Sequence, residues 1–317
     1  MTNLRLPFIV KTATAFAIVV TVLLSACKKD NDKTPKESTI ATIVSTNNDF
    51  SLLKTALVQA GLTQVLSGTG PFTVFAPNNA AFVAAGLDTE AKIKAVPVET
   101  LKQILLYHVL GQRVPASAIA MASNTPVKTA NDLNVFVTKN SSGVFVNGAT
   151  VIQADVKASN GLIHVINAVL MPPTGNIVEV AQGNPNFSLL VAAVLRASEG
   201  STNVAQVLSG AGPLTVFAPT NQAFINAGFA TVQAIQAADP ATLTSILTYH
   251  VVSGRVFSSD LTEGAKPVTA NGATLSISLS GGAKVKGNNN TTASVISSVN
   301  LITTNGVIHV IDQVLLP

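Results

Sequence analysis

The segment Val65-Leu-Ser-Gly-Thr-Gly-Pro-Phe-Thr-Val-Phe-Ala-Pro-Asn-Asn79 returns as Val207-Leu-Ser-Gly-Ala-Gly-Pro-Leu-Thr-Val-Phe-Ala-Pro-Thr-Asn221, with twelve of fifteen residues identical at an offset of 142. Tyr107-His108-Val109 returns as Tyr249-His250-Val251 at the same offset. Asn160-Gly-Leu-Ile-His-Val-Ile-Asn167 returns as Asn305-Gly-Val-Ile-His-Val-Ile-Asp312 at 145, and Phe50-Ser-Leu-Leu53 as Phe187-Ser-Leu-Leu190 at 137. Offsets that drift between fixed blocks describe one ancestral unit, duplicated, with loop insertions. The period is far longer than the roughly 20–45 residues of a solenoid repeat. The chain therefore reads as two domains, 39–173 and 174–317, divided at Met171-Pro172-Pro173-Thr174-Gly175, where two prolines stiffen the connector.

Each copy reads as mixed α and β. Asn48 or Asp49 can cap a helix carrying Leu52, Leu53, Ala56 and Leu57, stopped by Gly61. Gly70-Pro71 turns the chain into the strand Phe72-Thr-Val-Phe75, and Asn78 or Asn79 can cap the short helix that follows Pro77. A stronger helix is predicted over 98–109, and its second-copy equivalent opens on Asp239-Pro240, an N-cap followed by a proline at N1. Strands follow at Asn134–Val137 and Gly143–Val146, with a closing strand from Leu162 to Leu170.

The first 27 residues have a separate logic. Arg5 and Lys11 precede an uncharged apolar stretch too short to span a bilayer comfortably, and Leu24-Ser25-Ala26-Cys27 resembles a bacterial lipobox. The expectation is a signal peptide over 1–26 and lipidation of Cys27, the single cysteine of the chain; the alternative is an ordinary signal peptide with an incidental cysteine. Residues 27–38, rich in Lys, Asp, Asn, Thr and Pro, read as the lipidated Cys and a flexible tether reaching about 17 Å. No Asp follows Cys27 directly, so by analogy with enteric lipoproteins the expected location is the outer membrane, with exposure at the cell surface as one option.

Charge narrows the partners. Beyond Glu37 there are 13 Lys+Arg against 12 Asp+Glu, a net of +1, so the high pI comes from the leader and tether. No clustered basic face is available to neutralise phosphates, which argues against nucleic acid.

The repeated blocks resemble the signatures of the fasciclin domain family. Thr73-Val-Phe-Ala-Pro-Asn-Asn-Ala-Ala-Phe82 and Thr215-Val-Phe-Ala-Pro-Thr-Asn-Gln-Ala-Phe224 are similar to its first signature, the Tyr-His pairs sit where the family keeps them, and Asn-Gly-x-Ile-His-Val-Ile-Asn/Asp is similar to its closing one. The resemblance implies an α+β fold: two tandem fasciclin-like domains, each a β-wedge or sheet assembly packed with several helices. Asn78 in place of Thr220, and Asn167 in place of Asp312, are departures that imply different hydrogen bonding in the first copy.

All four histidines and both tyrosines lie in the repeated motifs. Leu101, Ile104, Leu105 and His108 follow a one-face helical spacing, repeated by Leu243, Ile246, Leu247 and His250, which places both histidines on the apolar side as buried, hydrogen-bonded groups. Tyr107 and Tyr249, one step round, are expected to border surface and core. His164 and His309 lie within apolar strands. Two histidines per copy, without thiols or an acidic cluster, fall short of the three or four ligands that zinc takes, so no metal or cofactor is expected. No nucleophile elbow or His-Glu-x-x-His is present. Gly68-Thr-Gly70 and Gly210-Ala-Gly212 read as tight turns rather than phosphate loops, since they precede a strand.

In animal fasciclin proteins the Tyr-His segment is linked to receptor binding, and an Asp-Ile pair near the position of Asp155-Val156 to integrin contact. The resemblance thus makes Tyr107, His108, Asp155, Tyr249 and His250 the candidate partner-binding residues, although a loop aspartate is more often simply solvated and the second copy carries Asn300-Leu301 there. The expected function is a membrane-anchored binding or adhesion protein, not an enzyme, contacting a surface protein or an extracellular or envelope glycan. The alternative is an envelope small-ligand binder or enzyme with a site inside one domain.

Overall fold

The computed structural model describes residues 37–317. The leader over 1–26, Cys27 and the tether up to Lys36 lie outside the described residues. Among the described residues no helix is long and apolar enough to cross a membrane.

In each copy helices come first and strands follow. The first copy runs through helices Ile40–Thr46, Ser51–Gln59 and Thr63–Ser67 into strand β1 (Phe72–Pro77), then helices Asn79–Ala84, Glu90–Ala95 and Val98–Tyr107. The remaining strands are β2 (Val109–Leu110), β3 (Ala122–Lys128), β4 (Asn134–Asn140), β5 (Gly143–Val146), β6 (Ala149–Ala158) and β7 (Gly161–Ile166). They form one sheet in the order β2-β1-β7-β6-β5-β4-β3. The second copy repeats the plan with β8 (Leu214–Pro219), β9 (Val251–Ser253), β10 (Ser276–Ser278), β11 (Lys284–Lys286), β12 (Ser294–Thr303) and β13 (Gly306–Ile311), ordered β10-β11-β12-β13-β8-β9.

At the centre of each sheet the first strand lies parallel to the last, with Phe72 opposite Gly161 and Leu214 opposite Gly306. These strands are covered on both faces, which is why their sequences are apolar runs rather than alternating ones. On one face Phe50, Leu53, Leu57, Val74, Leu101 and Ile163 pack the helices against the sheet. On the other, Phe75, Tyr107, Val135, Val146, Ile166 and Leu170 form a second core. Leu190, Val216, Phe224, Leu243 and Ile308, then Phe217, Tyr249, Ile277, Val285 and Leu315, repeat both.

Local chemistry accounts for most element ends. Asn78 Oδ1 accepts the N–H of Ala81 at 2.9 Å, and Thr220 Oγ1 accepts that of Ala223 at 3.2 Å, so the departure at position 78 preserves the cap. Asp239 caps Pro240–Tyr249 by accepting the N–H of Thr242 at 2.9 Å. Asn167 and Asp312 likewise share a role, accepting the N–H of Thr150 and Val295, each at 2.8 Å; Asp312 adds the hydroxyl of Ser294.

Three expectations need correction. A helix, Ile40–Thr46, capped by Thr39, precedes the anticipated first one; its Ile40, Ala41 and Val44 are buried. The helix from Val98 ends at Tyr107, because His108 turns the chain into β2. The closing strand stops at Ile166: the Asn167 side chain accepts the N–H of Thr150 in β6, and the chain then leaves the sheet.

The two copies touch through side chains far apart in sequence. The guanidinium of Arg255 lies 4.1 Å over the ring of Phe136, which also packs beside Phe257 at 6.2 Å. Asn124 donates through Nδ2 to the Arg255 carbonyl at 2.6 Å and to Asp260 at 3.1 Å, while Thr138 donates to Asp260 at 3.2 Å. Gly148 (φ +79°) sits so close to Asn300 that a Cβ there would overlap the asparagine side chain.

Candidate functional site

The motif histidines are all buried, and backbone groups fix their tautomers. His108 Nδ1 lies 2.7 Å from the Ile104 carbonyl and must donate to it, while its Nε2 accepts the N–H of Leu170 at 2.9 Å. His250 does the same with Ile246 at 2.8 Å and Leu315 at 2.9 Å. His164 and His309 take the opposite tautomer: Nε2 donates to Val114 and Val256, each at 2.9 Å, and Nδ1 accepts from Asp155 at 3.2 Å and Asn300 at 3.4 Å. Both nitrogens of every ring are thus engaged by main-chain groups. Burial holds His108 and His250 at about 4, outweighing the carbonyl bonds that favour the charged form, and pushes His309 down as well.

Tyr107 and Tyr249 do not border the surface. Both side chains are fully buried, because the sheet's far half folds over the helix end and covers the side the apolar stripe leaves open. Tyr107 donates to the Asn134 carbonyl at 2.8 Å and accepts from Asn147 at 3.0 Å. Tyr249 donates to the Thr274 carbonyl at 2.7 Å and accepts the N–H of Asn288 at 2.9 Å. Burial pushes the Tyr107 phenol up to about 12. The side chains of Tyr107, His108, Tyr249 and His250 are all buried in the folded protein.

Asp155 is half-buried within β6 rather than a solvated loop residue. It sits at a register shift with φ +58°, and its carboxylate accepts the N–H of Ala116 at 3.0 Å and 3.3 Å. Asn300 has φ +61° and accepts the N–H of Ser258 at 2.7 Å. Asp and Asn are residue types that tolerate the left-handed region, so one bulge is conserved between copies by two chemistries. His164 is thus held by the Asp155 N–H and the Val114 carbonyl, while the Asp155 carboxylate is turned to Ala116.

Asn160 and Asn305, which open the repeated closing motif, are structural residues. Asn160 is buried, donates through Nδ2 to Leu66 and Gly68 at 2.8 Å each, and accepts the N–H of Ile40 at 3.0 Å. Asn305 joins Leu208, Gly210 and Ile177 in the same way. The side chain ties three separate segments, and the signal was its recurrence ahead of each closing strand. The backbone of the same residue crowds Gly70 (φ +64°), where a Cβ would overlap the Asn160 carbonyl; the Gly-x-Gly segments are tight turns.

Among the described residues no group of three or more His, Cys, Asp or Glu could hold a metal. A cleft of about 800 Å³ is lined by both copies, including Asn147, Thr150, Asn167, Ser298, Val299 and Asn300. No charged side chain lines it.

A family profile described as "Fasciclin domain" matches residues 48–172 and 185–317. Transforming growth factor-beta-induced protein ig-h3 of Sus scrofa is 28% identical over 94% of this chain and 43% of its own length. Human periostin is 29% identical over 81% of this chain and 29% of its length. Protein sll1483 of Synechocystis is 41% identical over 44% of this chain and 77% of its own. The chain spans less than half the length of these two animal relatives. A solved FAS1 domain pair from the insect cell adhesion molecule fasciclin I aligns with 84% of this chain and 96% of that one, at a TM-score of 0.41 and 23% identity.

Proposed function

The chain belongs to the fasciclin domain family, and from that footing we propose that it is a binding or adhesion protein of the cell envelope, anchored through lipidated Cys27, and not an enzyme. One observation carries the reading: each of the four motif histidines spends both ring nitrogens on backbone groups. A general base needs a free nitrogen within reach of the proton it removes. With those groups committed to the scaffold, recognition falls to the surface.

The cleft between the copies is the concavity to which both contribute, and its amide and hydroxyl groups beside apolar wall suit a neutral partner. A neutral segment of a surface protein, or an uncharged envelope or matrix glycan, fits that character. A signal peptide over 1–26 and an outer-membrane, outward-facing location complete the proposal, supported by the lipobox-like Leu24-Ser25-Ala26-Cys27.

Two experiments test it. Radiolabelled palmitate is expected to enter the wild type and not Cys27→Ala; equal labelling of both removes the anchor. The full chain, arrayed against envelope glycans and matrix proteins, is expected to select a neutral ligand and to lose it in Val299→Glu and Asn167→Arg. Binding untouched by both variants removes the cleft from the reading.

A further inference from the structure

The two copies differ inside. Between the first helices and the first strand, the first copy leaves a cavity of about 20 Å³, and the second leaves about 80 Å³ in the corresponding place. The walls match residue for residue where the sequences do: Leu66 and Leu208, Phe75 and Phe217, His108 and His250. The difference has a visible cause. Ile40 and Ile177, whose N–H groups meet Asn160 and Asn305, set the register of the first helices. In that register Val44 becomes Ala181 and Leu57 becomes Val194, and all four line their cavities. Val178, in place of Ala41, is only half-buried, so it does not fill the gap.

The chemistry of the wall selects the occupant. Apart from Gln182 and His250 the lining is apolar, and both nitrogens of His250 are already bonded, to Ile246 and Leu315. Water finds no partners there; an apolar cavity of about 150 Å³ stays dry and takes a benzene ring. At roughly half that size, this one takes about three or four carbons of a straight chain. Gln182 and Leu195 belong to the lining and are exposed, so the pocket reaches the surface with a polar group at its mouth.

We infer that the second copy, and not the first, binds the end of an alkyl chain, inserted between helices Ile177–Gln182 and Ser188–Ala197 with its polar head left at Gln182. This site is separate from the cleft, and its success or failure leaves the adhesion reading where it stands.

The test uses the full chain and sodium octanoate below its micelle concentration, followed by calorimetry, with sodium acetate as the headgroup control. One saturable site is expected for octanoate and none for acetate. The double variant Ala181→Val/Val194→Leu restores the side chains of the first copy and is expected to weaken octanoate at least tenfold while unfolding no earlier than wild type. The single variant Val194→Leu, a milder filling, is expected to weaken it in the same direction. Absence of octanoate binding to the wild type up to millimolar concentration, equal binding by wild type and both filled variants, or equal binding of acetate would each overturn the inference.

Discussion

Nε2 of His108 accepts the backbone N–H of Leu170 at 2.9 Å, so the end of a helix holds the segment that leaves the sheet. His250 and Leu315 hold the second copy in the same way. An imidazolium at either place would oppose one N–H with another.

Acid should therefore loosen both copies. His108 and His250 titrate at about 4 when folded, against about 6.5 in an unfolded chain. Between those values the unfolded state binds more protons, so their stabilisation is complete above pH 6.5 and is lost as pH falls towards 4. At about 1.4 kcal/mol per pH unit, each group accounts for roughly 3 kcal/mol. Urea midpoints at pH 7.5, 5.5 and 4.0 are expected to fall in that order, and His108→Asn to flatten part of the decline. A midpoint constant across the range contradicts the claim.

Asn160→Ala is expected to cost about 2–4 kcal/mol, because two buried carbonyls and an N–H lose their partner together. Asn160→Asp should also destabilise, since a carboxylate cannot donate to Leu66 and Gly68. Chemical denaturation of these variants and of Asn305→Ala checks whether the two copies respond alike.

Asp155→Asn installs what the second copy already has at Asn300, and stability is expected to change by less than about 0.5 kcal/mol. Asp155→Val forces a β-branched residue to φ +58° and removes the acceptor for Ala116, at a cost of about 2 kcal/mol or more. Equal melting of the two variants would show that neither conformation nor carboxylate matters there.

Phe136, Arg255, Asn124 and Asp260 hold the copies together. Phe136→Ala combined with Asp260→Ala is expected to broaden the distance between spin labels placed at Lys54→Cys and Lys266→Cys in a Cys27→Ala background. Each copy should retain its own circular dichroism. An unchanged distance distribution would assign the orientation to the connector instead.

Ala181→Val is expected to stabilise the second copy by about 1 kcal/mol, at roughly 24 cal/mol per Å³ of cavity removed. Val44→Ala, the reverse change in the tighter copy, should cost about 2 kcal/mol. Thermal unfolding with and without octanoate reads both.

Much of this architecture was legible because the chain states it twice. Asn78 and Asp239 announce their caps, and the spacing of Leu101, Ile104, Leu105 and His108 places the histidine inward. Tyr107 was expected at the border of surface and core because helical periodicity describes one face, whereas its cover comes from Asn134 and Asn147, beyond β2 and β3 in the chain. Asp155 looked like a loop residue because a bulge with a left-handed residue interrupts the alternation that marks a strand. The role of Asn160 needs three segments brought together, which spacing along one chain does not reveal. The inequality of the cavities was written in two substitutions, Val44 to Ala181 and Leu57 to Val194, but acquires meaning only once the helices are registered on Ile40 and Ile177.

The parallel pairing of β1 with β7, and of β8 with β13, sets an order of events during synthesis. Neither central strand can be zipped on both sides until the ribosome has released the far end of its copy. A chain cut short before Gly161 would present Phe72–Pro77 with one open, hydrophobic flank, a template for neighbouring nascent chains. Loss of the closing strand, Gly161–Ile166 or Gly306–Ile311, therefore strips a central strand of its parallel partner.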